Sequence, residues 1–170
     1  MHTVINQQGP LAVDITVQRG QCEVGDLWLA RTPLGICQLE LVIDNHTQAA
    51  GHALASRWPG CTIHYSVEPI DVTALWRDAQ TFHLAGTVFQ QRVWAELLTI
   101  PKGETRTYGE IAKAIGRPQA FRAVGSAIGK NPVAILIPCH RVLAADRQIG
   151  GFYWGPEIKR QLLAAEGVFV

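Results

Sequence analysis

The sequence predicts a mixed α/β (α+β) protein with two small domains: an N-terminal α/β domain at residues 1–85 and a mainly helical domain at residues 86–170 that contains a helix-turn-helix. Strand patterns with alternating apolar positions dominate the first half, whereas strong helix-start signals stand in the second. The chain has 170 residues, of which 48% are hydrophobic and 17% charged, an ordinary balance for globular domains.

Strands and two helices are predicted in the first half. Polar and apolar residues alternate along residues 35–43, between a Pro-Leu-Gly turn and Asp44-Asn45, which is typical of a strand. Companion strands are expected at residues 26–30 and 62–65. Helices are expected near residues 46–57 and 69–80. Together these elements predict a small α/β domain.

Two capping-box patterns mark helix starts in the second half, Thr87 with Gln90 and Thr107 with Glu110. In a capping box, the hydroxyl group and the side chain three residues later each accept a hydrogen bond from a backbone N–H that lacks a partner within the helix. The first pattern predicts a helix with an apolar stripe. The second predicts a short helix that ends at Gly116.

A third helix is expected to begin at Pro118, directly after the glycine that ends the second. Phe121, Val124 and Ile128 have the spacing of a core-facing stripe. Two short helices joined by a tight glycine-containing turn are typical of a helix-turn-helix. An ordinary helical hairpin is the alternative.

Charge is divided unequally between the two halves. Residues 1–83 contain four Lys or Arg and eight Asp or Glu, whereas residues 84–170 contain eleven and six, which gives formal net charges of −4 and +5. A basic half favours an anionic partner, because each neutralised phosphate adds sequence-independent affinity. Chance segregation of surface charge is the alternative. The charge pattern therefore favours DNA contact by the helix pair.

No targeting or membrane segment is recognised. The N-terminus lacks a basic flank followed by an apolar run, and no segment approaches membrane-spanning length. The cysteines form no C-x-x-C pair, so neither a disulfide framework nor a zinc module is indicated. We expect a soluble, cytoplasmic monomer with reduced thiols. The four cysteines are Cys22, Cys37, Cys61 and Cys139.

Cys139 follows an apolar run at residues 133–137, which is expected to be a buried extended segment that begins after Asn131 and holds the cysteine rigidly. By itself this is weak evidence for catalysis, because such a cysteine is more often a small buried hydrophobe. Neighbours on a strand point to opposite faces, so His140 need not contact Cys139. A last helix is expected to begin at Pro156.

The residues Ile137-Pro138-Cys139-His140-Arg141-Val142 resemble the active-site signature of the O6-alkylguanine-DNA alkyltransferases, also called methylated-DNA–protein-cysteine methyltransferases. The resemblance extends over roughly residues 86–168, whereas the first half is similar only in length and general character. Further matches in order and spacing are Tyr108, Arg122-Ala123-Val124, Asn131, the loop Gly151-Phe152-Tyr153-Trp154-Gly155, and residues 162–167.

The resemblance implies that Cys139 accepts the alkyl group of O6-alkylguanine, irreversibly and once per protein molecule; O4-alkylthymine stays open as a second substrate. A free cysteine is mostly protonated at neutral pH, and the family removes the proton through a glutamate–histidine–water chain, here Glu166 and His140. Tyr108 corresponds to the proton donor to the purine ring. Asn131 corresponds to a hinge between the recognition helix and the active-site segment.

Contacts to substrate and DNA are also implied. The family flips the damaged nucleotide out of the duplex and docks its helix-turn-helix in the minor groove of double-stranded DNA. The carbonyls of Cys139 and Val142 would accept from the exocyclic amine, the N–H of Tyr153 would face O6, and Arg122 would fill the vacated stack. The expected substrate-binding residues are Val142, Phe152, Tyr153 and Trp154, and the expected DNA-binding residues are Phe121, Arg122, Ala123, Gly125 and Lys130.

The sequence departs from the family at two loop positions. Phe152 stands where many members carry tyrosine, so stacking must suffice without a hydroxyl group. Trp154 stands where some members carry glycine, and its indole is expected to narrow the pocket. Some members bind zinc in the first domain, but Cys22, Cys37 and Cys61 lack recognisable ligand spacing, so no metal and no cofactor are predicted.

Two other functional classes compete with this interpretation. One is a non-catalytic helix-turn-helix protein that binds damaged DNA or regulates transcription; relatives of that kind replace the active cysteine, whereas Cys139, His140 and Glu166 are all present. The other is a cysteine hydrolase that uses Cys139 and His140. That reading leaves the helix-turn-helix and Arg122 unexplained.

Overall fold

The computed structural model describes residues 2–7, 12–43 and 46–170. Within these ranges the chain forms eight strands, six α-helices and one 3-10 turn. None of the helices in the described ranges is long and apolar enough to cross a bilayer. Two compact units result: one comprises the described residues up to Thr87 with Pro132–Leu136, the other Val88–Asn131 with Ile137–Val170.

A six-stranded mixed sheet forms the first unit, with the strand order β1-β6-β4-β3-β2-β5. The three central neighbours β2, β3 and β4 are antiparallel, whereas β1 with β6, β4 with β6, and β2 with β5 are parallel. The strands are β1 Thr3–Gln7, β2 Asp14–Cys22, β3 Gly25–Thr32, β4 Gly35–Val42, β5 Thr62–Tyr65 and β6 Thr81–Ala85.

Helix α1, His46–Arg57, packs against β4 and closes a core on one face of the sheet. Ile15 and Val17 in β2 are buried, and the residues next to each of them are exposed or half-buried. This alternation is what a strand with one covered face requires. The core cluster comprises Ile15, Val17, Trp28, Ala30, Cys37, Ala50, Leu54, Trp58 and Ala85.

The structure confirms the predicted strands within β3, β4 and β5 and the predicted helix α1. The helix expected at 69–80 is shorter, α2 Val72–Arg77, because the Asp71 side chain caps its start by accepting from the N–H of Ala74 at 2.9 Å. Strands β1, β2 and β6 were not predicted. The predicted turn at Asp44-Asn45 lies outside the described residues.

Helices dominate the second unit. Helix α3 packs against α5 through its buried face, where the indole N–H of Trp94 donates to the carbonyl of Ala127 at 2.9 Å. A two-residue parallel pairing, β7 with β8, links the chain before α4 to the chain after Cys139. The elements are α3 Val88–Leu97, β7 Arg106–Thr107, α4 Tyr108–Ala114, α5 Phe121–Gly129, β8 Val142–Leu143 and α6 Pro156–Ala165.

The capping box predicted before α4 is present. The backbone N–H of Thr107 donates to the Glu110 carboxylate at 2.6 Å, and the N–H of Glu110 donates to the Thr107 hydroxyl at 3.2 Å. The helix ends as predicted at Gly116, whose φ of +72° favours glycine. The N–H of Gly116 donates to the carbonyl of Lys113 at 3.0 Å.

Helix α5 begins at Phe121 and not at Pro118, so that prediction is wrong. Residues 117–120 form a turn in which the N–H of Ala120 donates to the carbonyl of Arg117 at 2.8 Å. Phe121 is 49% exposed because it occupies the first turn, outside the core stripe to which the sequence assigned it. Val124 and Ile128 are buried, as predicted.

The extended run predicted at residues 133–137 is also wrong. Val133 forms a single bridge to Leu39, and the chain then turns, with Ile135 at a φ of +67°. Prolines at both ends of this apolar run lack the N–H that strand pairing needs, so burial here comes without a strand. Cys139 therefore opens a 3-10 turn, Cys139–Arg141, and the strand-based objection to a joint role with His140 disappears.

Candidate active site

Cys139 lies buried at the first position of the 3-10 turn. It is 6% exposed, and its N–H donates to the carbonyl of Ile137 at 2.8 Å. Burial raises the pKa of the Cys139 thiol, while a hydrogen bond from the Asn131 side chain and the positive charge of Lys159 act to lower it. A thiol in this environment needs a proton acceptor before it can attack.

His140, only 1% exposed, is joined to Glu166 through a 3.0 Å hydrogen bond between Nε2 and Oε1. A carboxylate only accepts, so Nε2 carries the proton and Nδ1 presents a lone pair. Nδ1 is buried and has no hydrogen-bond partner among the described residues. Burial lowers the pKa of His140, although Glu166 acts to raise it, so the imidazole is a neutral base at neutral pH.

The backbone geometry at the end of α6 fixes the position of Glu166. Glu166 is the C-terminal capping residue, and Gly167 follows with a φ of +84°. The N–H of Gly167 donates to the carbonyl of Ala164 at 2.9 Å, and that of Val168 donates to the carbonyl of Leu163 at 2.9 Å. This pair of bonds is a Schellman motif, which holds the capping residue in place.

Arg141 binds the Glu166 carboxylate with two nitrogens, Nε to Oε2 at 2.8 Å and Nη2 to Oε1 at 2.7 Å. Burial acts to raise the pKa of Glu166, but hydrogen bonds from His140 and Arg141 and their charges outweigh it and hold the pKa at about 2. The carboxylate is therefore ionised at neutral pH. With 11% side-chain exposure, Glu166 is largely shielded from solvent although it stands at a helix end.

Asn131 ties the end of α5 to the cysteine segment. Its side-chain amide donates to the carbonyl of Ile137 at 2.8 Å, two residues before Cys139. This contact joins the two segments between which the family resemblance implies a hinge residue.

Tyr108, the first residue of α4, is half-buried beside the cysteine segment. A Cβ added at Gly125 would lie 3.7 Å from its ring, and one added at Gly150 would lie 3.8 Å from it, so the ring lies against both glycines. Its hydroxyl donates to the carbonyl of Gly151 over a long 3.5 Å. Burial raises the pKa of Tyr108, and the charge of a Cys139 thiolate raises it further. The hydroxyl therefore remains a proton donor at neutral pH.

Lys159 is fully buried in α6. The hydrogen bonds described for its ammonium group go to backbone carbonyls. Its Nζ donates to Val142 at 2.6 Å and to Ile149 at 2.5 Å, and lies 6.0 Å from the centroid of the Phe152 ring. Burial lowers the pKa of Lys159 to about 8, although the charge of Cys139 acts to raise it. This lysine joins the active-site turn to the loop that precedes α6.

Sequence reasoning missed both Lys159 and Arg141. Lys159 stands three and four residues before the buried Leu162 and Leu163, so helical spacing places it on the buried face, and a lysine there is an unusual signal. Arg141 lies inside the active-site signature, residues 137–142, but the sequence analysis assigned it no role. Its contacts with Glu166, 25 residues later, exist only in the folded chain.

The aromatic residues predicted to bind substrate form one cluster. The Trp154 ring contacts the rings of Phe152 at 5.4 Å and of Tyr153 at 5.0 Å, the second nearly perpendicular. Tyr153 is 57% exposed. The carbonyl of Val142, the other predicted contact, accepts a hydrogen bond from Nζ of Lys159 at 2.6 Å.

Four of the residues predicted to bind DNA lie in α5, and the fifth, Lys130, caps its C-terminal end. Four of the five are exposed, while Gly125 is half-buried against the Tyr108 ring. The guanidinium of Arg122 lies 5.8 Å from the centroid of the Phe121 ring. The structure thus brings Cys139, His140, Glu166, Asn131 and Tyr108 together and places a separate basic and aromatic face on α5. The four exposed residues are Phe121, Arg122, Ala123 and Lys130.

The three cysteines of the first unit differ from Cys139 in their surroundings. All four cysteines are free. Burial raises the pKa of Cys37 to about 12, and its thiol donates to the carbonyl of Ala30 at 3.4 Å. Among the described residues, no group of three or more His, Cys, Asp or Glu side chains is placed to hold a metal ion.

The second unit of the chain matches a known protein family. Residues 88–168 match the family described as "6-O-methylguanine DNA methyltransferase, DNA binding domain". The methylated-DNA–protein-cysteine methyltransferase of Mycobacterium bovis is 60% identical over 83 residues, which are 49% of this chain and 50% of that protein. The bifunctional transcriptional activator/DNA repair enzyme Ada of Escherichia coli K12 is 38% identical over 155 residues, which are 85% of this chain and 43% of Ada. The chain therefore spans about half the length of these curated relatives or less.

Solved structures resemble most of the chain. The crystal structure of the Mycobacterium tuberculosis O6-methylguanine methyltransferase has a TM-score of 0.72 and 36% identity, and the match covers 89% of this chain and 92% of that one. The Mycobacterium tuberculosis OGT in complex with DNA has a TM-score of 0.70 and 37% identity, covering 91% and 92%. The likeness thus includes the first unit, which the sequence matched only in general character.

Proposed function

The chain belongs to the 6-O-methylguanine DNA methyltransferase family, and we propose on that premise that it repairs alkylated DNA directly, by moving the methyl or alkyl group of O6-alkylguanine onto Cys139. The observation that carries the proposal is the buried, free Cys139 next to a neutral His140 that is hydrogen-bonded to the ionised Glu166. This is the arrangement that a thiol needs in order to become a nucleophile.

The reaction is a displacement at the alkyl carbon. Sγ of Cys139 forms a bond to that carbon while the bond between the carbon and guanine O6 breaks, leaving a thioether on the protein and an unmodified guanine. The thiol proton passes to Nδ1 of His140 through a water molecule, and the Glu166 carboxylate stabilises the imidazolium that forms. The free, buried lone pair of Nδ1 supports this assignment.

The leaving guanine needs a proton on its ring, because O6 and the ring take up the electron pair of the broken bond. Tyr108 is the proposed donor, since its hydroxyl stays protonated next to the cysteine. It regains a proton from solvent or from the imidazolium, so the protons balance. Asn131 is proposed to hold the cysteine segment against the end of α5 through its bond to the carbonyl of Ile137.

Single turnover follows from the chemistry of the product. A thioether does not hydrolyse, and Cys139 is the only cysteine in the sequence of the second unit, so no second thiol there accepts the group. Each protein molecule is therefore proposed to act once. A cytoplasmic location, where thiols stay reduced, suits this role.

We propose that α4 and α5 act as a helix-turn-helix on double-stranded DNA, with α5 in the minor groove and the damaged nucleotide flipped out. Arg122 is proposed to fill the vacated stack. The exposed face of α5 and the net charge of +5 over residues 84–170 support the proposal. Phe152, Tyr153 and Trp154 are proposed to line the pocket for the flipped base.

One experiment tests this function. A duplex that carries a labelled O6-methylguanine is incubated with the wild type and with Cys139→Ala, and the label bound per protein is counted. We expect about one equivalent for the wild type and none for the variant, as a displacement that consumes the cysteine requires. Removal of more than one equivalent of label from the duplex per protein would indicate a hydrolase. Binding without transfer would indicate a non-catalytic damage-binding protein.

A further inference from the structure

We propose that Arg141 is a positioning residue that keeps His140 in its neutral, proton-accepting form by neutralising Glu166. The inference rests on the proposed function, because it concerns the same transfer of the Cys139 proton. Neither the sequence analysis nor the proposed reaction gave Arg141 a role. Its contacts with Glu166 define one.

Arg141 and Glu166 form a complete, two-point ion pair. Arg141 is 15% exposed at its side chain and uses all three of its nitrogens: two bind the Glu166 carboxylate, and Nη1 donates to the carbonyl of Ile100 at 2.6 Å. A planar guanidinium held at three points has one geometry, which a flexible lysine does not reproduce. Arg141 is therefore a built part of the site and not a solvated surface charge.

The Glu166 carboxylate is shared between Arg141 and His140. Oε1 of Glu166 accepts from both Arg141 and His140, whereas Oε2 accepts from Arg141 and, over 3.5 Å, from the N–H of Gly103. The imidazole thus donates one fixed hydrogen bond to a carboxylate whose negative charge is already balanced by Arg141. That bond orients His140 and sets its tautomer.

The protonation state of His140 depends on its burial and on the charges around it. Burial is the main factor that favours the neutral ring; of the three charged groups that face it, Glu166 favours the imidazolium, whereas Arg141 and Lys159 favour the neutral ring. The remaining neighbour, Cys139, contributes a neutral thiol before the reaction. A buried carboxylate 3.0 Å from an imidazole and without Arg141 would favour the imidazolium, which has no lone pair left to take the cysteine proton.

The pH dependence of transfer follows from this balance. Transfer requires neutral His140, so the rate falls as the pH drops through the pKa of His140, and this fall is the acid limb of the profile. Removing Arg141 leaves the charge of Glu166 unmatched and raises that pKa. Removing the charge of Glu166 leaves Arg141 unmatched and lowers it.

The test compares four proteins: the wild type, R141M, E166Q and the double variant R141M/E166Q. Label transfer from the O6-methylguanine duplex is followed with protein in excess, between about pH 5 and pH 8. We expect the acid limb of R141M to move up by about one pH unit or more, and that of E166Q to move down. The double variant should return towards the wild type, since both charges are gone.

The double variant also covers a failure of R141M to fold. Removing both members of a buried ion pair is milder than removing one, and the amide oxygen introduced by E166Q can still accept a hydrogen bond from Arg141, so E166Q and R141M/E166Q remain comparable. Between these two, loss of Arg141 alone should move the acid limb up. R141K, which retains a charge without the two-point geometry, should keep the limb close to that of the wild type while the rate on its plateau falls.

Equal acid limbs in E166Q and R141M/E166Q would overturn the inference, because Arg141 would then act only as a structural support. The same holds if R141M folds and loses rate uniformly at every pH. Transfer by the wild type itself is the separate check on the proposed function. If the wild type transfers label and the limbs do not move, only the role of Arg141 fails.

Discussion

At the scale of a single residue, we expect Trp154 to limit the width of the proposed substrate pocket. Its indole packs against the rings of Phe152 and Tyr153 in the loop before α6. An aromatic ring held by two others has little freedom to move aside for a bulky adduct. Substrate size is therefore a property that this one side chain is expected to control.

We predict that O6-methylguanine is repaired faster than O6-benzylguanine, and that Trp154→Gly raises the rate for the benzyl adduct relative to the methyl adduct. Second-order rates of inactivation by the two substrates measure this. Trp76→Gly in α2, which removes a partly exposed indole from the first unit, is the control and should leave the ratio unchanged. Equal rates of the wild type with both adducts would contradict the prediction.

The end of α6 shows how one element determines the position of a reactive group. Gly167 allows the Schellman motif because its φ of +84° is unfavourable for side-chain-bearing residues, and no atom lies within 4 Å of a Cβ built there. The cost of a substitution at Gly167 is therefore conformational and not steric. It falls next to Glu166, whose contacts to His140 and Arg141 depend on the same backbone.

We predict that Gly167→Ala lowers the free energy of unfolding by about 1 kcal/mol and also slows alkyl transfer. Gly60→Ala is the matched control, because Gly60 has a φ of +82° and equally open surroundings but lies in the first unit. Urea unfolding should show similar losses for both variants. If both slow transfer equally, or Gly167→Ala leaves it unchanged, the helix end does not position Glu166.

The separation of charge acts at the scale of the whole molecule. Residues 84–170 carry a net charge of +5, whereas residues 1–83 carry −4, so an anionic polymer is attracted by one half and repelled by the other. For the proposed DNA complex, this implies affinity that falls with added salt and contacts concentrated on the second half.

We predict that Lys130→Ala weakens binding to undamaged duplex DNA and reduces the slope of log affinity against log salt by about one. Arg77→Ala, at an exposed arginine of the acidic half, is the control and should leave the slope unchanged. Fluorescence anisotropy titrations at several salt concentrations measure both. Equal slopes for Lys130→Ala and the wild type would place Lys130 outside the DNA contact.

Helix boundaries could be predicted where their signals are local. The Thr107–Glu110 capping box and Gly116 each act within a few residues, so the sequence located α4 correctly. The start of α5 was misplaced because proline permits a helix start without requiring one. The apolar run before Cys139 was misread because strands and buried turns share the same composition, and only the chain path distinguishes them.

The sequence by itself identified the proposed nucleophile and most of its proposed partners, because the order and spacing of Cys139, His140, Glu166, Tyr108 and Asn131 resemble those of one family. Only the tertiary structure decided the electrostatics of the site. Arg141 on the carboxylate and Lys159 beneath the active-site turn set the protonation states, and neither follows from spacing. The physical reason is that a pKa depends on burial and on distances between charges, which arise when residues far apart in the chain meet.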